Sequence, residues 1–350
     1  MKKRKSIFRS FLRILGRTAA VVLETVLLLS AVLLGAVYVV ERGPSPAARD
    51  LFVMSVRETS AVGFLAELFL SPEEISAIEN RPAEEEFVET DPSLITIEKP
   101  RTPEEGPAVD AWGLRDEDGD GIIVEPVKGL GYSGFMMVVL DPSRVIMGSL
   151  PESYGIRGYT VAEMVEKFDA VAGINAGGFE DPDGRGNGST PDFMTVVDGE
   201  VYYAGKGTRY GFAGFDSSHI LHTGRLTAED IREKDIRCGT CFGPVLVSNG
   251  QPCELTPSGV NPRTAIGQRS DGAVLMLVID GRQVISLGAT HQDMIEIFME
   301  YGAVNACNLD GGSSSLMWYQ GDYINNCASV IGVRPVPTAF LVLKEGAERG

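Results

Sequence analysis

Twenty-two consecutive residues, Ala19 to Val40, carry one charge, Glu24. A helix of that length, at ~1.5 Å per residue, reaches across a hydrocarbon core of ~30 Å. Ahead of it, Met1 to Arg17 holds seven basic residues (Lys2, Lys3, Arg4, Lys5, Arg9, Arg13, Arg17) and no acid. Basic flanks stay on the cytoplasmic side, so the chain beyond Val40 is expected outside. Glu24 lies two turns past Arg17 and can pair with it or snorkel to the inner interface. A cleaved signal peptide is the competing reading. Its apolar region usually runs about 7–15 residues, and Ser45-Pro46-Ala47 makes a poor cleavage site. The expectation is a retained single-pass anchor over 18–40, with a short cytoplasmic start at 1–17 and an extracytoplasmic remainder at the cell membrane.

The net charge is −17, so removing the seven positive charges of the first segment leaves −17 − 7 = −24 on the rest. That balance argues against nucleic acid, whose phosphates call for clustered Lys and Arg. Apolar residues at 44% and charged ones at 23% are those of a globular protein. Ala47 to Leu70 is apolar at helical spacing (Leu51, Val53, Met54, Phe64, Leu65, Leu68, Phe69), with Asp50 as a candidate cap. It fits the outer membrane face, a second copy or the domain itself. Ser71-Pro72-Glu73-Glu74 is a capping box for another short helix. Glu73 to Asp91 has eight acids against Arg81, and Pro92, Pro100, Pro103 and Pro107 follow, which reads as a solvated linker. Residues 41–125 thus form a stalk and 126–346 the main domain.

Asp116-Glu117-Asp118-Gly119-Asp120-Gly121 opens like a calcium loop, but position twelve is Val127 where a bidentate Glu is needed. An acidic turn into a strand at Ile122–Val124 is the favoured reading, and a divalent cation is the sole cofactor hinted at. Beyond Lys128 come strand-like runs at Phe135–Leu140, Ala170–Ile174, Ala273–Ile279, Val304–Leu309 and Phe340–Leu343. Val196 to Val201 reads as a hairpin turning on Asp198-Gly199. Thr160 and Thr290 open helices. Strands outnumber helices and alternate with them irregularly, which gives an α+β fold with mixed sheets and flanking helices.

Three segments place glycine and polar residues after a strand: Ile174-Asn175-Ala176-Gly177-Gly178-Phe179, Asn261-Pro262-Arg263-Thr264-Ala265-Ile266-Gly267 and Asn308-Leu309-Asp310-Gly311-Gly312-Ser313-Ser314. Glycine lets backbone approach a ligand, and its amides can form an anion-binding concavity. Arg263 can fork onto two oxygens of a phosphate or carboxylate. Asn175 and Asn308 both donate and accept, as sugar hydroxyls require. Asp310 is the best-placed acid of the chain. The residues by themselves point to an anion or sugar site. The histidines (His219, His222, His291) show no zinc-ligand spacing beyond a weak His-x-x-His at 219 and 222.

Taken in this order, the three segments resemble the signatures of the phosphodiester glycosidase family. Phe242-Gly243-Pro244, Asp280-Gly281-Arg282, Ser286-Leu287-Gly288-Ala289-Thr290 and Arg334-Pro335 also match the spacing of bacterial members. The resemblance runs from Gly129 to Leu343. Ala176 departs from it where many relatives have Gly, and Cys307 where Ala is common. It implies a hydrolase acting on a sugar 1-phosphodiester, with a cell-surface glycan or exopolysaccharide-related substrate. Asp310 would serve as nucleophile or general base, with Arg263 and Asn175 as its catalytic companions. Gly177, Gly178, Thr264, Asn308, Gly311, Gly312 and Ser313 would bind sugar or phosphate, and His291 lies near the expected pocket. Glu180, Asp181 and Asp192 are candidates for a second carboxylate. A non-catalytic, membrane-tethered carbohydrate-binding or assembly module is the alternative. Oligomeric state and sugar identity stay open.

Cys238-Gly239-Thr240-Cys241 is a C-x-x-C pair outside the cell under this topology. A local disulfide, or one between Cys241 and Cys253, is expected, with Cys307 and Cys327 reduced.

Overall fold

A computed structural model of the chain describes residues 2–59, 62–79, 88–98, 108–110, 112–181, 186–203, 210–329 and 332–346. The middle of the expected acidic linker, and Pro100, Pro103 and Pro107, lie outside the described residues. Six helices are described: α1 (Lys2–Arg42), α2 (Pro46–Arg57), α3 (Pro72–Glu79), α4 (Val161–Lys167), α5 (Ala228–Glu233) and α6 (His291–Glu300). Three larger antiparallel sheets complete an α+β fold.

The largest sheet has seven strands. Ala303–Leu309, Arg263–Arg269, Val274–Ile279 and Tyr132–Val139 are neighbours at its centre. Side chains alternate along a strand, so a strand apolar at every position must be covered on both faces. Val274–Ile279 is such a strand. Val274, Met276 and Val278 enter the core shared by the three sheets, and Leu275, Leu277 and Ile279 meet Met294, Ile297 and Phe298 of α6. The second sheet centres on Ala170–Asn175 between Thr338–Leu343 and Met317–Tyr319, and α4 covers its outer face. The third centres on Ile236–Cys241, with α5 behind it.

Local chemistry sets the helix starts. Thr160, Thr227 and Thr290 each accept the N3 amide, and Glu163, Asp230 and Asp293 reach back to the cap amide. Asp198 and Gly199 take positive φ in the expected hairpin turn, as its two central positions demand.

Two expectations are corrected. Asp50 does not cap α2, because Ser45 accepts the Ala48 amide and Pro46 opens the helix. Ala47–Leu70 is also not one helix. α2 ends at Arg57, and a short 3₁₀ turn covers Gly63–Glu67. Val53, Val56, Ala66, Leu70, Ile75 and Ile78 form a separate small core in this N-terminal unit. The unit packs on the domain.

Among the described residues no two cysteines are joined by a disulfide. Residues three apart in a strand point to opposite faces at a separation of ~10 Å, too far for a disulfide. Accordingly Cys238 enters the central core and Cys241 the core beneath α5.

Candidate active site

The register of the sheets brings the three glycine segments to one edge. Thr264 lies opposite Leu309 in adjacent strands, so Arg263 and Asp310 leave the sheet side by side. The Asp310 amide donates to the carbonyl of Ala176 at 2.9 Å, and the Gly312 amide to that of Pro262 at 2.9 Å. Asn175 braces the junction. Its Nδ2 donates to the Asp310 carbonyl at 2.6 Å, and its Oδ1 accepts from Thr264 Oγ1 at 2.9 Å and the Leu316 amide at 3.1 Å. With both ends committed, Asn175 holds backbone and the buried Thr264 braces Asn175, so neither faces a ligand.

The side chains then diverge into two groups. Around Asp310 stand Ser314, Arg334, Asp192 and Asp181. Desolvation dominates there and pushes the Asp310 carboxyl up to about 7. The Ser314 hydrogen bond and the Arg334 charge oppose that rise, while Asp192 and Asp181 add to it. Burial and the neighbouring Glu180 and Asp181 likewise raise Asp192. Arg334 donates to Asp181 Oδ1 at 2.7 Å and to Ser313 Oγ at 3.0 Å, so it fastens the loop that follows Asp310. A Cβ on Gly178 would sit 2.7 Å from Asp192 Oδ2 and 3.0 Å from the Phe242 ring, so one of those side chains would have to move.

The second group is basic. Arg263 Nε donates to the Ala289 carbonyl at 3.1 Å, and Nη2 to the Gly259 carbonyl at 2.7 Å and to Glu58 Oε2 at 2.8 Å. Glu58 also accepts from Asn261 Nδ2 at 2.9 Å and from the Gly259 amide at 2.9 Å. The chain's own carboxylate therefore sits in a cradle of one guanidinium, one side-chain amide and one backbone amide. Arg282 Nη2 donates to Thr59 Oγ1 at 3.0 Å and lies 3.3 Å from where a Cβ on Gly312 would be. A cavity of ≈ 430 Å³ adjoins the cradle, lined among others by Met54, Glu58, Phe242, Leu255 and His291. Phe242 lines this cavity and also stands against Gly178, as Asp192 does. Burial, with help from Arg263, lowers the His291 imidazole to about 3, so it is neutral at physiological pH. Its Nε2 has no partner.

Several residues expected to touch ligand are occupied within the fold. The Gly177 amide donates to Thr338 Oγ1 at 2.9 Å, the Gly312 amide is taken by Pro262, and Asn308 Nδ2 donates to the Gly243 carbonyl at 2.8 Å. Glu180 is exposed. Sequence reasoning missed Glu58 altogether and quoted Arg334 and Arg282 only as matching motifs. For the acidic turn, oxygens of Asp116, Asp118 and Asp120 lie within 4.8 Å of one another. They serve the turn: Asp116 accepts the Gly119 and Gly121 amides, Asp120 the Ile122 amide and Tyr319 Oη, and Asp118 the Gln320 side chain.

The chain belongs to the phosphodiester glycosidase family, whose model matches residues 168–343. The family it joins is one of glycosidase-type hydrolases. It is 33% identical over 186 residues to the SPbeta prophage-derived uncharacterized protein YomE of Bacillus subtilis (strain 168), covering 49% of this chain and 28% of that protein. The chain therefore spans just over a quarter of that relative. Among solved structures, it is similar in fold to the catalytic domain of zebrafish N-acetylglucosamine-1-phosphodiester alpha-N-acetylglucosaminidase, auto-inhibited by its pro-peptide. That similarity has a TM-score of 0.53 at 18% identity, over 64% of this chain and 82% of that one.

Proposed function

We propose that the chain is a membrane-anchored, extracytoplasmic hydrolase that breaks the anomeric C–O bond of a sugar 1-phosphodiester in a cell-surface glycan. The anchor is the 30-residue apolar part of α1, Arg13–Arg42, and the catalytic unit is residues 126–346. The observation that carries the chemistry is the cradle of Arg263, Asn261 and Gly259, which already grips an oxyanion, on the strand end next to the one that carries Asp310, whose carboxyl is raised to about 7.

The phosphodiester takes the place of Glu58. Arg263 and the two amides neutralise the charge that grows on the departing phosphate. Asp310 accepts a proton from water as that water attacks C1, and a base with a pKa near the working pH is well matched to the task. The C1–O bond breaks, the electron pair leaves with the phosphate monoester, and a free sugar results. Asp192 is the second carboxylate. Direct attack by the water that Asp310 activates inverts C1 and calls for about 6.5–9.5 Å between the two carboxyls, whereas about 5–5.5 Å would make Asp310 the nucleophile and give retention through a glycosyl-enzyme. Neutral His291 offers a hydrogen bond to the bound sugar phosphate. Asn175, Thr264 and Asn308 are positioning residues.

Hydrolysis of a methyl diester of a sugar 1-phosphate in ¹⁸O-water tests this. Label in the sugar is expected. Label in the phosphate would sink C–O cleavage, and tight binding without turnover would point to a carbohydrate-binding module.

A further inference from the structure

Two hairpin tips beside the cradle carry residues that turns do not normally hold. The strands Ile122–Gly129 and Tyr132–Val139 are joined through Leu130, which is 102% exposed. The segment after Val274–Ile279 closes a second tight turn, in which Gln283 and Ser286 exchange backbone hydrogen bonds at 2.9 and 3.1 Å. Its two central residues are Val284 and Ile285, 99% and 79% exposed, and Leu287 follows at 60%. Such positions favour Gly, Asn and Asp. The Leu287 amide donates to the Gly131 carbonyl at 2.7 Å, which binds the two tips into one projection.

We infer that this projection, Leu130 with Val284, Ile285 and Leu287, inserts into a lipid surface. Three observations select lipid over a protein partner. The tips are tight turns fixed by hydrogen bonds whose apolar side chains stand 60–102% exposed, suited to entering a headgroup layer. In a chain of net charge −17, neither 126–134 nor 281–292 contains an acid, and the first tip carries Lys128, while Arg282 turns back from the second tip onto Thr59 and Asn261. This local charge suits an anionic bilayer. The apolar segment Arg13–Arg42, almost unburied within the protein, is tied to the same region. α2 begins four residues after α1 ends, and Thr59, just beyond α2, meets Arg282 at the base of the second tip. The inference uses α1 as a bilayer anchor and stands apart from the proposed chemistry.

The test uses the full chain in nanodiscs of phosphatidylcholine and phosphatidylglycerol brominated along the acyl chains. Leu130→Trp and Ile285→Trp report in separate samples, with Trp112 and Trp318 of the unsubstituted chain as background. Each added indole should shift to the blue and be quenched by brominated lipid about twofold beyond that background, as an interfacial side chain is. Lys128→Glu should weaken the quenching. Added indoles that brominated lipid leaves untouched, and that aqueous acrylamide quenches freely, overturn the inference. So does shielding that appears without lipid and grows with protein concentration, the mark of a second copy. A chain that does not float with vesicles at all overturns the anchor and the inference together. A Leu130→Ser/Val284→Ser/Ile285→Ser variant gives an independent reading. It should lose the slowing of amide exchange over 283–287 that nanodiscs impose on the unsubstituted chain, and equal exchange in both overturns the inference.

Discussion

Replacing Glu58 by Gln should open the cradle to anions. The carboxylate accepts from Arg263 at 2.8 Å and from Asn261 and Gly259 at 2.9 Å. The Arg263 side chain is 8% exposed and that of Glu58 28%, so the pair is only partly screened. A hydrogen bond to a charged group contributes about 1.5–3 kcal/mol. Gln keeps the shape and one acceptor but loses the charge, so seating the segment on the domain should weaken by about 2 kcal/mol, or ~30-fold. An anion that binds only the vacated cradle has an apparent Kd inversely proportional to the vacated fraction. Inorganic phosphate should then bind the variant about 30-fold more tightly than the parent as long as the vacated form is scarce. Isothermal titration of the full chain with phosphate measures this. Equal affinities in parent and variant would refute the competition between Glu58 and anion, and weaker binding by the variant would make Glu58 part of the ligand site.

Asp310→Asn should abolish turnover while phosphate affinity stays within about threefold, since Arg263 is untouched. The same change should alter stability with pH. Asp310 titrates near 7 when folded against 3.8 as its ordinary value, so the folded state holds a proton that the unfolded chain releases. That contribution is full below ~4 and is lost as pH rises through ~7, by up to ~4 kcal/mol, and melting curves of the Asn variant should lack it. Gly178→Ala should cut kcat more than it raises KM, because its Cβ would fall 2.7 Å from Asp192 Oδ2; unchanged kcat would show that Asp192 does not take part. Reductant should leave the melting temperature unchanged, and a fall would contradict the placement of Cys238 and Cys241 in separate cores.

The strands of the domain were legible because they are short apolar runs bounded by turn residues, Val274–Ile279 above all. The capping boxes at Thr160 and Thr290 were legible because their partners lie three residues away. Asp310 and Arg263 stood out as charged residues beside glycine at strand ends. What escaped depends on distant contacts. α2 stops at Arg57 where Glu58 and Thr59 are drawn onto Asn261 and Arg263, some two hundred residues on. The start of that helix was in the sequence, in Ser45-Pro46, but was weighed as a cleavage site instead of a cap. Arg334 looked like a motif residue until the fold placed it between Asp181 and Ser313. The C-x-x-C spacing suggests a bond only if the segment turns, and here it runs extended.

Asn175 is the rivet between two sheets: it ends a strand of one and grips the chain emerging from the other. Slippage of either sheet by even a fraction of an ångström would carry the Asp310 carboxylate out of line while the hydrophobic interior stayed intact. On warming, enzymatic competence should therefore vanish several degrees before the molecule melts.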